Sequence, residues 1–266
     1  MNTGIHNYHT HTWRCQHARG MEEDYVRRAL EQGFGALGFS DHTPWPYRSG
    51  YVSGMRMRLQ QFEGYRQTVL HLREKYAGRI ELPLGMECEA FPEYFEWLRD
   101  FKARYLDYIL LGNHYDLTDE GGFYFGYCTR PDEVARYGKR TLAGLAARLY
   151  DCLAHPDLFL HTYPAFDAQC RAVSVDLCQA ARDLNIPLEY NLLGLARQKS
   201  EQGRGWLGYT RPEFWQIAAE NGCTAIIGYD AHDPDFLCRR DLYDRASDEL
   251  HRLGVKVLDA LRTSPD

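Results

Sequence analysis

Residues 4–17 read GIHNYHTHTWRCQH and join a short apolar run to a group of histidines. The run 4–8 predicts a β-strand that ends where the histidines begin. Successive side chains of a strand alternate between its two faces, so His9 and His11 would point to the same side and could bind one ion. His17 lies in the following loop and can return to the same place. A single His-x-His is a weak signal, so what matters is whether the pattern recurs.

The same order, an apolar run followed by side chains that can bind metals, recurs along the chain. Six further runs predict strands over residues 36–39, 80–84, 108–111, 152–154, 187–190 and 224–227. The polar residues that close or follow these runs are Asp41 and His42, Glu87, His114, His155, Glu189 and Asn191, and Asp230 and His232. Helices are predicted over residues 21–32, 59–76 and 131–150. Seven such β–α units predict parallel strands that close into a barrel, with a site at their carboxyl ends.

Length and composition limit the classes of protein that the chain can belong to. Its 266 residues, 44% of them hydrophobic, predict one domain over residues 1–266. No apolar run reaches the roughly 18 residues of a membrane span, and the first residues do not resemble a signal peptide, so we expect a cytoplasmic protein. A net charge of −6 gives no basic footprint for nucleic acid, and we infer no obligate protein partner. Eight cysteines without a C-x-x-C pair are typical of reduced thiols.

The candidate ligands are too many for one ion. They are seven histidines and two carboxylates: His9, His11, His17, His42, Glu87, His114, His155, Asp230 and His232. These groups suit zinc, manganese and iron, and their number predicts two or three ions, divalent or trivalent. Glu87 is the first candidate to bridge two ions, because a carboxylate has two oxygens, and Asp230 is the second. We expect structural roles for His6, inside the first strand, and for His71 and His251, on helices.

Seven motifs occur in the order that is expected of one family. They are HTHT (9–12), SDHTPWP (40–46), GMECE (85–89), GNHYD (112–116), AHPDL (154–158), EYNLLGLAR (189–197) and YDAH (229–232). Together they resemble the polymerase-and-histidinol-phosphatase (PHP) superfamily, and its monofunctional histidinol-phosphate phosphatase branch in particular. Two positions depart from the usual pattern without removing a ligand. Tyr229 stands where a serine is common, and Asn113 stands where a small residue is common.

The resemblance implies a distorted (β/α)7 barrel, similar to a TIM barrel, that holds three ions. Carried over residue by residue, the ligand sets are His9, His11, Glu87 and Asp230 for the first ion, Glu87, His114 and His155 for the second, and His17, His42 and His232 for the third. The branch also implies the reaction, hydrolysis of L-histidinol phosphate to L-histidinol and phosphate. The substrate rests on the resemblance alone, whereas the residues themselves favour hydrolysis of a small phosphate monoester.

Further residues near the strand ends have predicted roles in this hydrolysis. We expect a hydroxide that bridges the first two ions to attack phosphorus. Arg197 is the predicted phosphate clamp, because its planar group matches two phosphate oxygens, with Arg56 and Arg58 as alternatives. Asp41 either donates a proton to the leaving group or orients a metal-bound histidine. Substrate contacts are predicted for Glu89 and Asp116 toward a cationic group, for Tyr115 toward a ring, and for His161 in the pocket wall.

Two other functions stay open on the sequence. The chain could be a related phosphoesterase for a different small phosphate, such as a nucleotide. It could instead be a non-catalytic, metal-bound structural module, as this fold is when it forms part of a polymerase. All nine ligand positions are filled here, which favours an enzyme over such a module.

Overall fold

Parallel strands and helices alternate in the computed structural model, which describes residues 4–200 and 207–261. The strands are β1 (Ile5–Asn7), β2 (Phe34–Leu37), β3 (Gly85–Cys88), β4 (Tyr108–Leu111), β5 (Cys152–Leu153), β6 (Leu188–Asn191), β7 (Thr224–Gly228) and β8 (Lys256–Val257). The helices are α1 (Glu22–Glu31), α2 (Phe62–Lys75), α3 (Phe95–Tyr105), α4 (Pro131–Ala146), α5 (Ala168–Asp183), α6 (Leu192–Ser200), α7 (Pro212–Glu220) and α8 (Arg240–Leu253). Strands β1, β2 and β4 to β7 each overlap a predicted run.

The first seven strands form a closed ring. β1 pairs with β2, and β3 to β8 pair one after another in a second sheet, with all neighbours parallel. Isolated bridges close the ring at its two seams, where His42 pairs with Glu87 and Thr10 pairs with Ala231. β8 pairs with the first residues of β7. The predicted (β/α)7 barrel is confirmed, and the two bridged seams are where it departs from a regular barrel.

The third strand begins later than the sequence predicts. The run 80–84 ends directly before β3, so Glu87 lies inside the strand rather than after it. Pro83 has no amide hydrogen to donate to a sheet, and regular pairing with β4 begins at Gly85. The side chain of Glu87 is therefore held by a paired strand on the inside of the barrel, where it is 1% exposed.

Aromatic packing around Tyr108 fills the barrel beneath the strand ends. The Tyr108 side chain is buried, and its hydroxyl donates to the carbonyl oxygen of Tyr8 at 2.7 Å. A side chain at Gly38 or Gly85 would collide with Tyr108, so both positions require glycine for this close approach. The packed interior leaves the carboxyl ends of the strands as the place where polar side chains can gather.

The helices cover the ring with their apolar faces. In α1, Tyr25, Val26 and Ala29 are buried, while acidic residues occupy the first turn, where the helix dipole favours negative charge. α4 packs against α5, and α5 packs against α7. Within the described ranges, no helix is both long and apolar enough to cross a membrane.

Candidate metal centre

All nine predicted ligands lie together at the carboxyl ends of the barrel strands. They form overlapping groups of three, and within each group the nitrogen and oxygen atoms lie within 4.8 Å of one another. The groups are His9, His11 and Glu87; His9, His155 and Asp230; His42, Glu87 and His114; and His17, His42 and His232. His17 and His232 are 215 positions apart in the sequence, so it is closure of the barrel that brings them together.

The carboxylate of Glu87 is at the centre of this cluster, and its two oxygens face different histidines. Oε1 lies 2.7 Å from Nε2 of His155 and 3.5 Å from Nε2 of His114. Oε2 faces three ring nitrogens at 3.0, 3.4 and 3.5 Å, those of His42, His11 and His9. Gly112 makes room for the carboxylate, because a Cβ there would lie 2.0 Å from Oε1. This two-sided placement suits a carboxylate that bridges two ions.

Asp230 faces the same histidines from the opposite strand end. Its Oδ1 lies 3.5 Å from His9 Nε2, 3.3 Å from His11 Nε2 and 3.4 Å from His232 Nδ1. Asp230 and His155 both have positive φ angles, 51° and 27°, which are costly for residues other than glycine. The backbone therefore accepts strain at two positions whose side chains point into the cluster.

The contacts between these side chains suit a bound cation better than they suit direct hydrogen bonds from one side chain to the next. Nε2 of His9 and Nε2 of His11 are 3.0 Å apart, although two neutral imidazoles can share only one hydrogen there. Glu87 Oε2 and His42 Nδ1 are buried and have no hydrogen-bond partner among the described residues. Unpartnered buried polar atoms are costly, and an ion between them would satisfy both. Imidazole nitrogens and carboxylate oxygens are a donor set for zinc, manganese or iron.

The electrostatics of the cluster keep its carboxylates ionised. Burial alone would raise the pKa of Glu87, but His114, His9 and His42 around it hold that pKa well below the usual range. Burial likewise opposes ionisation of Asp230, yet the histidines lower its pKa well below the usual value. Two negative charges at the bottom of a cleft favour binding of cations.

The third group lies at the mouth of the barrel and is more open. His17 is exposed, and the side chain of His232 is 23% exposed. His17 Nδ1 contacts the carbonyl oxygen of Cys15 at 2.7 Å, and His232 Nδ1 contacts that of Asp230 at 3.0 Å. If each Nδ1 carries its hydrogen there, both Nε2 atoms present lone pairs to each other, 3.1 Å apart.

Cys15 belongs to the cluster, although its sequence pattern is typical of an ordinary reduced thiol. Its sulfur lies within 4.8 Å of ligand nitrogens of His11 and His232, and its side chain is buried. Burial would raise the pKa of this thiol, but hydrogen bonds from His11 and His17 lower it to about 6. The signal for Cys15 was its position two residues before His17 in the same loop.

Asp41 is buried next to the cluster. Its carboxylate faces Nδ1 of His11, on the opposite side of that ring from Glu87. Its carboxylate accepts hydrogen bonds from the Thr12 amide at 3.0 Å and from the Thr12 hydroxyl at 2.6 Å. Asp41 Oδ1 lies 3.9 Å from His11 Nδ1, while His11 Nε2 points toward Glu87. Burial raises the pKa of Asp41 to about 7. Of its two predicted roles, this placement favours orientation of a histidine.

A cavity of about 430 Å³ opens over the cluster. Arg197 and Tyr115 line it together with the metal-binding side chains and Tyr209. His161 is buried behind this wall, with its ring 5.6 Å from that of Tyr209. Burial and the nearby charge of Arg197 lower the pKa of His161 to about 4. The structure thus places Arg197 and Tyr115 in the cavity lining. Neutral His161 lies behind that lining, against Tyr209.

Two predicted substrate carboxylates do not line this cavity. Glu89 is fully buried and forms two hydrogen bonds with Arg56, from Nη2 at 2.9 Å and from Nη1 at 3.1 Å. It also lies 3.3 Å from His114 Nδ1, on the far side of that ring from Glu87. Asp116 pairs with Arg136 and accepts a hydrogen bond from a loop amide. Both carboxylates therefore form ion pairs with arginines of the protein itself, Arg56 for Glu89 and Arg136 for Asp116. The sequence motifs did not predict these ion pairs.

Like Cys15, Glu189 contacts the cluster, although the sequence predicted no role for it. It lies on β6, is 1% exposed, and its Oε1 is 2.7 Å from His9 Nδ1. The sequence placed Glu189 in the sixth strand without a function. The available signal was a carboxylate inside the otherwise apolar predicted run 187–190.

Comparisons with known proteins agree with this arrangement. A model of the PHP domain matches residues 7–192. A probable histidinol-phosphatase of Deinococcus radiodurans is 30% identical over 248 residues, which cover 87% of this chain and 88% of that protein. A probable histidinol-phosphatase of Schizosaccharomyces pombe is also 30% identical, over 97% of this chain and 90% of that protein.

A solved structure has the same fold. The crystal structure of histidinol phosphate phosphatase from Lactococcus lactis, complexed with zinc, L-histidinol and phosphate, superimposes with a TM-score of 0.73. The match covers 96% of this chain and 95% of that chain at 18% sequence identity. The predicted family resemblance is confirmed by these matches. From the PHP domain match and the two curated relatives, we conclude that the chain belongs to the PHP domain family.

Proposed function

We propose that this chain is a phosphoric monoester hydrolase that cleaves L-histidinol phosphate to L-histidinol and phosphate. The observation that carries the proposal is the convergence of nine metal-binding side chains on Glu87, beneath a cavity that Arg197 lines. The substrate is supported by curated relatives named histidinol-phosphatase that align with at least 84% of the chain. We expect the enzyme to act in the cytoplasm on this small molecule.

Two or three ions of zinc, manganese or iron would occupy the cluster. We assign His9, His11, Glu87 and Asp230 to the first ion, Glu87, His114 and His155 to the second, and His17, His42 and His232 to the third. When bound, such ions lower the pKa of water and neutralise charge on a phosphoryl group. The zinc in the Lactococcus lactis relative supports this choice of metal type.

The protein's own groups would bind and orient the ester. Arg197 donates from its planar guanidinium to phosphoryl oxygens that face the ions. Tyr115 provides an aromatic wall for the rest of the substrate. His161, which stays neutral above about pH 4, adds no second positive charge beside Arg197. Asp41 lies 3.9 Å from Nδ1 of His11 and is not among the residues that line the cavity, so we expect its effect on rate to come through that histidine.

Steady-state kinetics with zinc- or manganese-loaded protein test the proposal. The substrates are L-histidinol phosphate, p-nitrophenyl phosphate and a nucleoside monophosphate, each assayed with the wild type and with His9→Ala. We expect kcat/KM for L-histidinol phosphate to exceed that for the other esters by about 100-fold or more, about 2.7 kcal/mol of selectivity. We also expect His9→Ala to lose all three activities.

Each other outcome points to one alternative. Equal rates for all esters would contradict the substrate assignment and leave a phosphoesterase of another specificity. No rate above background for any ester, in protein that retains its ions, would instead favour the structural module. Activity that survives in His9→Ala would indicate a contaminating phosphatase.

A further inference from the structure

Glu189 is a buried carboxylate whose hydrogen bonds all serve the metal-binding side chains. Oε1 accepts from Nδ1 of His9 at 2.7 Å. Oε2 accepts from the backbone amide of His155 at 3.0 Å and from Nδ2 of Asn191 at 2.9 Å. No lysine or arginine lies within ion-pair distance of it in the described part of the chain. A buried carboxylate without a basic partner is costly, so its retention needs a reason.

The neighbouring strand is shaped around this carboxylate. A Cβ on Gly228 of β7 would lie 1.8 Å from Glu189 Oε1. Only glycine at that position leaves the carboxylate its place between β6 and β7. The carboxylate of Glu189 therefore lies directly against the backbone of β7, in space that a glycine leaves open.

The contact with His9 determines which nitrogen of that ring can bind an ion. An ionised carboxylate can only accept, so Nδ1 of His9 carries a hydrogen, and Nε2 is the nitrogen left for an ion. The lone pair of Nε2 then points toward Glu87 Oε2 and Asp230 Oδ1, each 3.5 Å away. A carboxylate behind a metal-binding histidine fixes the tautomer and makes the ring a stronger ligand.

Two more ligands depend on the same carboxylate. The amide of His155 is held in its strained conformation at φ 27° while Nε2 of that residue reaches Glu87 Oε1 at 2.7 Å. Asn191 Nδ2 donates both to Glu189 Oε2 and to Asp230 Oδ2, at 2.9 and 3.1 Å. Oδ1 of Asp230 is thus left to face the ions.

We propose that Glu189 is the positioning residue of the metal centre, and that it fixes His9, His155 and Asp230 as ligands at once. This inference rests on the metal centre of the proposed function. It assigns a role to Glu189 that is separate from ion binding, because its own oxygens are taken up by donors from the protein. Loss of the charge should weaken binding of the inner ions by about 10- to 100-fold, the range for carboxylates that support a ligand.

Zinc affinity measured by competition with a chromophoric chelator tests the inference. The proteins are the wild type, Glu189→Gln and a matched control, Glu133→Gln, which alters a buried carboxylate that accepts backbone amides at the start of α4. We expect the tightest zinc Kd to rise at least about tenfold in Glu189→Gln and to stay unchanged in Glu133→Gln. Lost hydrolysis should return as the zinc concentration is raised.

The failures of the inference and of the proposed function are distinguishable. A wild-type protein that binds no zinc would contradict the proposed metal centre. A folded Glu189→Gln protein with wild-type zinc affinity would overturn the role of Glu189 and leave the metal centre intact. If Glu189→Gln does not fold, nitrogen-15 spectra of histidine-labelled, zinc-loaded wild type decide the question, with His9 assigned by its absence from a His9→Gln spectrum. Hydrogen on Nδ1 of His9 supports the inference, and hydrogen on Nε2 overturns it.

Discussion

The inner and outer parts of the metal centre are built differently. The inner part surrounds Glu87, and its histidines, His9 and His155 among them, are buried at the ends of paired strands. The outer part adds two loop residues to buried His42: His17, which is exposed, and His232, which is partly exposed. The barrel thus fixes the inner ligands through its strands, whereas loops hold the outer ones. We expect the inner ions to bind more tightly than the outer ion.

Replacement of the central carboxylate should have the largest effect. Glu87→Gln removes one charge and weakens the link between the two inner ligand sets. We expect kcat/KM for L-histidinol phosphate to fall by about 1000-fold or more, about 4 kcal/mol, and the zinc content to fall with it. Metal analysis and steady-state kinetics on the same sample measure both. A fully active Glu87→Gln protein would show that the inner part is not where the reaction is catalysed.

Arg197 lies in the cavity above the metal centre and belongs to neither of its two parts. Arg197→Ala removes the predicted phosphate clamp but touches neither part of the metal centre. We expect kcat/KM to fall by about 100-fold, with the zinc content unchanged. Arg197→Lys keeps the charge without the planar fork and should recover only part of that loss. Loss of zinc from Arg197→Ala would contradict a role limited to the substrate.

Truncation of an outer ligand should cost less than truncation of an inner one. His17→Ala removes an exposed histidine, so we expect one ion to be lost and kcat/KM to fall by about tenfold to 100-fold. His155→Ala, at a buried strand end, should cost more in both measurements. His71→Ala, an exposed histidine on α2, is the control and should change neither. Equal losses in His17→Ala and His155→Ala would remove the distinction between the two parts.

The barrel and the clustering of the nine candidate ligands could be predicted, because each of these residues lies in a local pattern. An apolar run and a histidine or carboxylate at its end are adjacent in sequence, so strands β1, β2 and β4 to β7 and residues such as His114 stood out. Strand β8 was not predicted, because its two residues are Lys256, which is exposed, and Val257, whereas both residues of the equally short β5 are apolar and buried. Regular pairing of β3 with β4 begins at Gly85, after Pro83, which lies inside the predicted run and has no amide hydrogen to donate.

Contacts between distant residues could not be predicted in this way. Glu189 and His9 are 180 positions apart, and only the closed barrel places one behind the other. Glu89 was assigned to the substrate because its position after a strand suited an open carboxylate. Its burial against Arg56 depends on how the loop after β2 folds back, which no local pattern records.

Graded removal of ions should separate the outer ion from the inner ions. During dialysis against a weak chelator, we expect the outer ion to leave before the inner ions, because exposed ligands exchange more readily. Metal content and rate, followed together, should show one ion lost first and a second, slower phase that abolishes activity. Simultaneous loss of all ions would mean that the two parts bind as one unit.

The smallest effect is expected from the thiol between the two parts. Cys15 supports His11 and His17, so Cys15→Ser should lower affinity for the outer ion by only a few-fold and leave the inner ions in place. Cys238→Ser, at an exposed cysteine, is the control. A loss of inner ions in Cys15→Ser would show that the thiol is a ligand rather than a support.

Anomalous diffraction at the zinc edge, from crystals grown with zinc and phosphate, would show directly whether ions occupy the assigned positions. We predict strong peaks on both sides of the Glu87 carboxylate, one shared with Asp230 and one with His155, and a weaker peak among His17, His42 and His232. Phosphate should lie against these peaks and against Arg197. A map without a peak between Glu87 and Asp230 would contradict the proposed metal centre.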